Sequence, residues 1–262
     1  MSENSPLAGL LAGKKGLIVG VANQNSIAWG CATALHGAGM ELAFTYQGEL
    51  MRDRVTRTTA ELGEVPLFDL DVRDDAQIAA VFDALRERWG RLDFVLHSVA
   101  FAPKAAMANP FIQTQREDFL AAHDISVYSL VALSRAAIPL MPEGGSIVTM
   151  TYYGSQKAVP GYNVMGVAKA ALEASVRYLA VDLGQHGIRV NAISAGAINT
   201  LAARGVAHFR DLMRITAERS PLKRTVETDE VGRACLFLAS ELGSGVTGEV
   251  MYVDAGFNIT AG

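Results

Sequence analysis

Apolar residues follow two alternating patterns along the chain. Short apolar runs, typical of strands buried on both faces of a sheet, alternate with longer segments whose apolar residues recur every three or four positions, as in amphipathic helices. The strand pattern occurs at residues 15–21, 41–46, 65–70, 91–99, 146–150, 188–193 and 250–253. The helical pattern occurs between them, at residues 26–37, 49–62, 74–89, 116–141, 161–184 and 229–239. Pro103 and Pro110 indicate a loop before the helix at residue 116.

This regular alternation predicts an α/β fold. We expect a single-domain, Rossmann-like doubly wound parallel sheet of about seven strands with helices on both faces. In such sheets ligands bind beyond the carboxyl ends of the strands, so the residues after each strand are the first candidates for function. The stretch at residues 195–220 interrupts the alternation, because it is too long for a simple connection and is partly amphipathic. Insertions of this length are commonly functional, and we expect a substrate-binding lid there.

Composition narrows the class of protein. Half of the 262 residues are hydrophobic, enough for one large core, so we expect one domain over residues 1–262. The net charge of −4 gives no reason to expect nucleic-acid binding. Cys31 and Cys235 have no paired spacing, which argues against a disulfide framework or a metal site and fits a reducing cytoplasm. Without a basic leader or an apolar run of about eighteen residues, we expect neither export nor a membrane span.

The loop after the first strand has the setting of a dinucleotide phosphate site. It runs from Gly20 to Gly30, follows a strand and opens a helix, so that backbone N–H groups and the positive end of the helix dipole can face a phosphate. Gly20 suits the tight turn, and Ser26 is the candidate N-cap of the helix. The usual GxGxxG spacing is absent, however, and an ordinary strand-to-helix turn has the same features.

Three later strand ends carry polar or small residues where a cofactor would pass. Gln47 follows the second strand, where the residue facing the adenosine ribose usually lies, and no Arg or Lys stands beside it to attract a 2′-phosphate. This weakly favours NADH over NADPH. Asp71 and Val72 follow the third strand, where the carboxylate either holds the adenine edge or only caps a helix. Ser98 and Ala100 follow the fourth strand, and such small residues let a cofactor approach the backbone.

The densest group of candidate catalytic residues lies at residues 151–169. Tyr152 stands at the end of the fifth strand, and Tyr162 and Lys169 are seven positions apart, a separation that returns to nearly the same face of a helix. A phenol and an ammonium can therefore line one cleft. The alternative is that the tyrosines are packing residues and the lysine a solvated surface charge. We interpret His97, in the buried fourth strand, as structural rather than catalytic.

Taken together, these segments are similar to a known family. The chain resembles the short-chain dehydrogenase/reductase superfamily and, within it, the NADH-dependent enoyl-acyl carrier protein reductases of fatty-acid synthesis. The likeness covers nearly the whole chain through residues 20–30, 43–47, 122–126, 162–166, 168–170, 189–196, 248–250 and 253–254. Ordinary superfamily members have a tyrosine four residues before the lysine, whereas here Met165 holds that place. Tyr162 stands seven residues before Lys169, as in the enoyl reductases.

The shifted tyrosine also has a physical reason. A ketone is protonated on the oxygen of the carbon that receives the hydride, whereas in an enoyl thioester the hydride adds to the β carbon and charge develops on the thioester oxygen, two carbons away. Moving a tyrosine by three helical residues displaces its base by about 4.5 Å. We therefore expect Tyr162 to stabilise the enolate oxygen as an oxyanion-hole donor. We expect Lys169 to bind the nicotinamide ribose and to favour ionisation of a neighbouring phenol.

The resemblance implies roles for residues at other motif positions. The implied cofactor contacts are Gly20, Ser26, Ile27, Gln47, Asp71, Val72, Ser98, Ala100, Lys169, Ile198 and Thr200. The implied substrate contacts are Ala102, Tyr152, Tyr162, Met165 and Phe209. The implied catalytic residues are Tyr162, Lys169 and Tyr152, without a metal, in a cytoplasmic homotetramer. Ala100, Ala197 and Tyr153 depart from a frequent Gly, Pro and aliphatic residue, which bears on cofactor geometry rather than on the reaction.

The lid carries a local excess of positive charge. Between residues 195 and 224 six basic residues stand against two acidic ones, Asp211 and Glu218, a balance of +4. The basic residues are Arg204, Arg210, Arg214, Arg219, Lys223 and Arg224. The resemblance implies acyl carrier protein, an acidic helical bundle, as the partner that such a patch steers towards a pocket beneath Phe209. A solvated amphipathic helix explains the same charges equally well.

Three other functions stay open at this point. A carbonyl reductase is expected to have the four-residue Tyr-to-Lys spacing, which this chain lacks. An NADPH-preferring reductase is expected to carry Arg or Lys beside Gln47. A non-catalytic nucleotide-binding protein is free to lose Tyr162 and Lys169, yet both are present.

Overall fold

A parallel sheet forms the centre of the protein. The computed structural model describes residues 7–201, 203 and 209–260, except for the side chain of Arg210. The strands are β1 Lys15–Val19, β2 Glu41–Tyr46, β3 Leu67–Asp69, β4 Phe94–His97, β5 Gly145–Thr151, β6 Ile188–Ala195 and β7 Val250–Val253. They lie in the order β3-β2-β1-β4-β5-β6-β7, and every pair of neighbours is parallel. The predicted α/β fold with seven parallel strands is confirmed.

Helices connect the strands and cover both faces of the sheet. They are α1 Ile27–Gly37, α2 Gly48–Thr59, α3 Asp75–Trp89, α4 Lys104–Ala108, α5 Arg116–His123, α6 Ser129–Ala137, α7 Asn163–Gly184, α8 Phe209–Arg219 and α9 Thr228–Ala239. The segment predicted as one helix at residues 116–141 consists of α5 and α6 joined by a π-helical turn, Asp124–Tyr128. The loop expected after the fourth strand contains the short helix α4.

The two faces of the sheet support separate apolar cores. Successive side chains of a strand point to opposite faces, so Leu17 packs with α3, α6 and α7, whereas Ile18 packs with α1 and α9. Both side chains are completely buried. Because the central strands are covered on both sides, nearly all of their residues must be apolar. This is why the strands stand out as continuous apolar runs in the sequence.

Helices α1 and α9 approach closely because two glycines meet where the helices cross. A Cβ atom on Gly30 would lie 2.3 Å from the carbonyl oxygen of Thr228, and a Cβ atom on Gly232 would lie 2.3 Å from that of Gly30. The crossing also brings together the free thiols of Cys31 and Cys235, which are both buried. Burial, and then the neighbouring thiol, raises the pKa of Cys235. Their spacing in the sequence did not indicate this proximity.

The predicted lid contains one long helix within the described residues. Helix α8 buries Thr216 and exposes Arg214, Glu218 and Arg219, so it is amphipathic as expected. Arg204 and the side chain of Arg210 lie outside the described part of the chain.

Among the residues described, no helix combines the length and the apolarity needed to cross a lipid bilayer.

Candidate active site

The carboxyl ends of β1 and β4 meet so closely that only glycine fits between them. Gly20 has a φ angle of +112°, and a Cβ atom there would lie 2.2 Å from the carbonyl oxygen of Ser98. The Ser98 amide in turn donates a hydrogen bond of 2.8 Å to the carbonyl of Val19. Sheet order reverses between these two strands, which is where doubly wound folds bind dinucleotides. Two predicted cofactor residues, Gly20 and Ser98, therefore touch at this crevice, and Ala100 is exposed just beyond it.

Ser26 is the N-cap residue of α1, as predicted, but its side chain binds the preceding loop. Its Oγ accepts hydrogen bonds from the backbone N–H groups of Ala22 and Asn23, each at 3.0 Å. No side-chain cap is present at the start of α1, whose first residue is the half-buried Ile27. The backbone carbonyl of Ser26 accepts from the amides of Trp29 at 3.0 Å and Gly30 at 3.2 Å. Because the Ser26 hydroxyl binds the loop, the amides of Ile27 and Ala28 stay available for an anion at the edge of the sheet.

At the ends of β2 and β3, Gln47 and Asp71 lie together. Gln47 Nε2 donates to Asp71 Oδ2 at 3.1 Å, and the guanidinium of Arg73 donates to both oxygens of the same carboxylate. The hydrogen bond from Arg73 is the main reason that the pKa of Asp71 is lowered to about 2. Val72 between them is buried. The sequence did not indicate Arg73, because it stands far from Gln47 along the chain. The fold brings both residues to Asp71.

Ile198 and Thr200 follow β6 at the same edge of the sheet. Both are nearly completely buried. The Thr200 amide donates to the Ile198 carbonyl at 2.8 Å, and Thr200 Oγ1 accepts from the amide of Ala203 at 3.1 Å. These bonds make a compact turn at the carboxyl end of the strand, the edge at which cofactor contacts are predicted.

Lys169 is a buried residue of α7 whose ammonium reaches the end of β5. The residue is 5% exposed, and its Nζ donates a hydrogen bond of 2.8 Å to the carbonyl oxygen of Met150. Burial lowers the pKa of Lys169 to about 8, while the carboxylate of Glu173 opposes this effect. An ammonium has three N–H donors, and this is its one hydrogen bond to the described residues, which leaves two donors for a ligand. The alternative that Lys169 is a solvated surface charge is excluded.

Tyr152 and Tyr162 form an aromatic pair beside the end of β5, to which the ammonium of Lys169 binds. Their ring centroids are 4.9 Å apart and the rings meet edge to face. Burial raises the pKa of Tyr152 to about 12, and burial, Tyr152 and Glu173 raise that of Tyr162 further above its ordinary value. Lys169 is not among the groups that shift either phenol, and both pKa values are raised, so the expected ionisation of a neighbouring phenol is not found. Both phenols are neutral hydrogen-bond donors at neutral pH.

The neighbours of Tyr162 fix the direction of its ring. Tyr162 is the N-cap residue of α7 and stands one residue outside the helix in which it was expected. Asn163 has a φ angle of +38°, and its Nδ2 donates to the carbonyls of Met107 at 2.9 Å and Asn109 at 2.7 Å. A Cβ atom on Gly154 would lie 2.5 Å from the Tyr162 ring. Asn163 was not among the predicted residues, and no sequence signal marked its left-handed backbone.

A small apolar cluster adjoins the phenol of Tyr162. It combines two predicted substrate residues, Ala102 and Met165, with that tyrosine and four buried neighbours. The neighbours are Ala106, Met107, Ala122 and Val164. Among the described residues the cluster does not include Phe209, which is half-buried at the start of α8. Ser126 of the π-helical turn ties this region together, since its Oγ accepts from the Phe101 amide at 3.0 Å.

His97 is enclosed in the core and uses both ring nitrogens there. Nδ1 lies 2.7 Å from Thr149 Oγ1 and Nε2 lies 2.8 Å from Ser129 Oγ. Because the Ser129 hydroxyl donates to the Ile125 carbonyl at 2.6 Å, Nε2 carries the hydrogen and Nδ1 accepts from Thr149. Burial, and then the charge of Lys169, lowers the pKa of His97 to about 3. The residue is a neutral structural link, in line with its interpretation from the sequence.

The fold and the site together define a class of protein. A doubly wound parallel sheet with a glycine crevice at its switch point, and a half-buried tyrosine and a buried lysine at the same edge of the sheet, is the arrangement of the short-chain dehydrogenases and reductases.

Comparison with known proteins narrows the class to one family. A family model described as enoyl-(acyl carrier protein) reductase matches residues 20–258. A protein of Rhizobium meliloti (strain 1021) named enoyl-[acyl-carrier-protein] reductase [NADH] 1 is 55% identical over 96% of this chain and 92% of its own length. The chain belongs to the enoyl-(acyl carrier protein) reductase family, which confirms the resemblance drawn from the sequence.

Solved structures agree with this assignment. The enoyl reductase of Anaplasma phagocytophilum in complex with NAD is 47% identical and superposes with a TM-score of 0.94, covering 97% of both chains. The enoyl reductase of Bacillus cereus with NADP⁺ and an indole naphthyridinone is 49% identical with a TM-score of 0.95, covering 96% of this chain and 99% of that one.

Proposed function

We propose that this chain reduces the trans-2 double bond of enoyl thioesters on acyl carrier protein with NADH, the reductive step of fatty-acid elongation. The observation that carries the proposal is the neutral, half-buried phenol of Tyr162, held beside the end of β5 seven residues before the buried Lys169. The name of the Rhizobium meliloti relative, which specifies NADH, supports the same activity.

In this reaction NADH supplies a hydride to the β carbon of the enoyl chain. Tyr162 donates its phenolic hydrogen bond to the thioester oxygen, where negative charge develops as the hydride arrives. A phenol that stays protonated suits this role, and burial keeps it so. Tyr152 packs on its ring and limits its movement. Ala102 and Met165 line the adjacent apolar wall for the acyl chain. Phe209, at the start of the lid helix α8, is proposed as a further acyl contact.

The crevice between β1 and β4 would hold the cofactor. Gly20 allows the pyrophosphate to approach the backbone, and the uncapped first turn of α1, beginning at Ile27, offers N–H groups to it. The nicotinamide half of the cofactor would lie along four predicted contacts, Ser98, Ala100, Ile198 and Thr200. The two free donors of the Lys169 ammonium bind the ribose hydroxyls next to the ring.

Preference for NADH over NADPH is supported at the adenosine end. Gln47 and Asp71 offer an amide and a carboxylate for the ribose and the adenine edge. Arg73 is a cation at this site that could attract a 2′-phosphate, but both oxygens of Asp71 already bind its guanidinium. The carboxylate of Asp71 would therefore repel a 2′-phosphate, and the guanidinium of Arg73 is not free to bind it.

Acyl carrier protein is the proposed partner of the lid. Arg214 pairs with Glu218 at 2.9 Å within α8, and Arg224 pairs with Glu230 at 2.7 Å, so these two arginines are partly compensated. Arg219 is exposed beside them. We expect Arg210→Glu with Arg214→Glu to raise KM for a carrier-linked enoyl substrate, while KM for the coenzyme A thioester stays unchanged. Equal KM values for the carrier-linked substrate before and after charge reversal would remove this part of the proposal.

Assembly into a cytoplasmic homotetramer is likewise proposed. Large apolar side chains are exposed on α5 and α7, among them Leu120, Tyr178 and Val181. Contact between copies of the chain would cover such residues. Two free, buried thiols fit a reducing compartment. Sedimentation equilibrium of the purified protein measures the assembly directly.

The decisive experiment measures cofactor oxidation with a crotonyl thioester and with a ketone, using NADH and NADPH in parallel. We expect rapid turnover with the thioester and NADH, and little with the ketone. Reduction of the ketone alone would overturn the proposed function, and a strong preference for NADPH would overturn the cofactor assignment.

A further inference from the structure

Glu173 is a buried carboxylate that the mechanism above does not use. It lies on α7 four residues after Lys169, about one helical turn away, and is 6% exposed. An ionised carboxylate is costly to bury unless neighbouring groups compensate its charge. A compensating contact of Glu173 lies at the end of β5.

Two consecutive residues of β5 are held by two residues of α7. Met150 accepts the hydrogen bond of Lys169 Nζ at 2.8 Å, and Thr151 Oγ1 donates to Glu173 Oε1 at 2.7 Å, both in the protein interior. Tyr152 follows directly, and its ring packs on Tyr162. Glu173 thus anchors the strand end from which the aromatic pair and the lysine contact are built.

We propose that Glu173 is a positioning residue for the reduction: its carboxylate places a negative charge one helical turn from the ammonium of Lys169 and, through Thr151, holds the end of β5 against α7. This role rests on the proposed function, in which Lys169 binds the nicotinamide ribose. NADH binding is measured without an enoyl substrate, so failure of the reaction and failure of the positioning role are told apart.

Several titratable groups lie near Lys169 and Glu173 or interact with their aromatic neighbours. They are Tyr162 before α7, His97 on β4, Tyr152 and Tyr153 after β5, and Tyr252 and Asp254 at β7. His97 is neutral, and the tyrosines whose pKa values shift are shifted upwards, away from ionisation. The carboxylate of Asp254 is bound by the amides of Gly256 at 2.9 Å and Asn258 at 2.8 Å. Glu173 is the carboxylate that acts on Lys169.

The negative charge of Glu173 favours the protonated form of both Lys169 and Tyr162. It raises the pKa of Lys169 against the effect of burial, which favours the ammonium that binds ribose hydroxyls. It also raises the pKa of Tyr162, which favours the protonated phenol that donates to the thioester oxygen. A carboxylate in contact with neither reacting atom can therefore support both steps.

The test separates the charge of Glu173 from its hydrogen bond. Glu173→Gln removes the charge but keeps an amide oxygen that accepts from Thr151, whereas Thr151→Val removes the hydrogen bond and keeps the charge. The dissociation constant of NADH is measured by fluorescence between pH 6 and pH 10 for each protein. Turnover of a crotonyl thioester is measured separately, so that failure of the proposed reaction does not affect the binding result.

The expected signature is a shift in the pH dependence of NADH binding. In the wild type, affinity is full below the pKa of Lys169, about 8, and falls as pH rises through it. In Glu173→Gln the midpoint should move down by about one pH unit, which lowers affinity ~3-fold at pH 7.5 and ~10-fold at pH 9. Thr151→Val should keep the wild-type midpoint but lower kcat, because the strand end loses its anchor.

Conservative variants control for a merely structural role. Glu173→Asp should restore the wild-type midpoint. If Glu173→Gln does not fold, the pair Glu173→Asp and Glu173→Asn makes the same comparison with a shorter side chain. A folded Gln or Asn variant with the midpoint of its matched acid would overturn the proposal. The proposal would also be overturned if the wild type and Glu173→Asp fold while Glu173→Gln and Glu173→Asn do not. That outcome would show that the charge is needed for folding and not for Lys169.

Discussion

Each end of the proposed cofactor crevice combines a cation with a carboxylate, but the two pairs differ in exposure. At the adenosine end Arg73 binds Asp71 directly, and their side chains are 53% and 22% exposed. At the nicotinamide end Lys169 and Glu173 are almost completely buried, and each binds the end of β5. Water and salt screen the first pair and leave the second nearly unscreened.

The pKa values show what this difference does. Asp71 is shifted to about 2, and the largest cause is its hydrogen bond with Arg73. Lys169 is shifted to about 8, and the largest cause is burial. Direct contacts therefore control charge at the exposed end, and exclusion of water controls it at the buried end. We expect substitutions at the buried end to have the larger effects on function.

The largest effect is expected from Tyr162→Phe. Loss of the phenolic donor should lower kcat for a crotonyl thioester by ~10²–10³-fold, the usual effect of removing one oxyanion-hole donor. The dissociation constant of NADH should stay nearly constant, because the ring still packs against Tyr152. Tyr152→Phe is the matched control and should cost much less. A kcat near the wild-type value for Tyr162→Phe would refute its role.

Lys169→Ala should act mainly on cofactor binding. We expect the dissociation constant of NADH to rise by ~10-fold or more at pH 7, because a charge-assisted hydrogen bond in a buried site is lost. The fall in affinity as pH rises through about 8, expected for the wild type, should disappear with the lysine. Isothermal titration calorimetry at several pH values measures both effects. Wild-type affinity and pH dependence in this variant would contradict the assignment.

A smaller effect is expected from Asp71→Asn. The amide keeps the shape of the side chain but gives up the charge that binds Arg73 and accepts from Gln47. NADH affinity should fall only ~2–5-fold, since the site is partly open to solvent. Steady-state KM for NADH, compared with kcat, measures the change. A loss as large as that in Lys169→Ala would remove the contrast between the two ends.

The smallest effect is expected from Arg73→Gln. The ion pair of Arg73 with Asp71 is exposed, so its loss should change NADH affinity by less than ~2-fold. NADPH turnover should not rise, because the carboxylate is then unpaired and repels a 2′-phosphate. Raising the salt concentration should reproduce part of this effect in the wild type and none of it at Lys169. A tenfold change in NADH affinity would show that Arg73 contacts the cofactor directly.

Much of the fold followed from the sequence because each strand and helix carries its own pattern. Strands covered on both faces must be apolar throughout, and the helices between them need one apolar face, so both are visible without tertiary information. Short or irregular segments were not predicted from the sequence. Helix α4 and the π-helical turn Asp124–Tyr128 have no periodic apolar pattern of their own. Their conformation depends on neighbours far along the chain, as when Asn163 binds the carbonyl of Asn109.

The candidate site divides in the same way. The sequence by itself determined the family, the spacing of Tyr162 and Lys169, and the strand ends at which function lies, because these depend on residue identity and order. Only the tertiary structure decided that Lys169 is buried, that Glu173 binds Thr151, and that Arg73 binds Asp71. Protonation depends on which groups surround a side chain and on how much water reaches it. Both are properties of packing between distant segments, which no local pattern records.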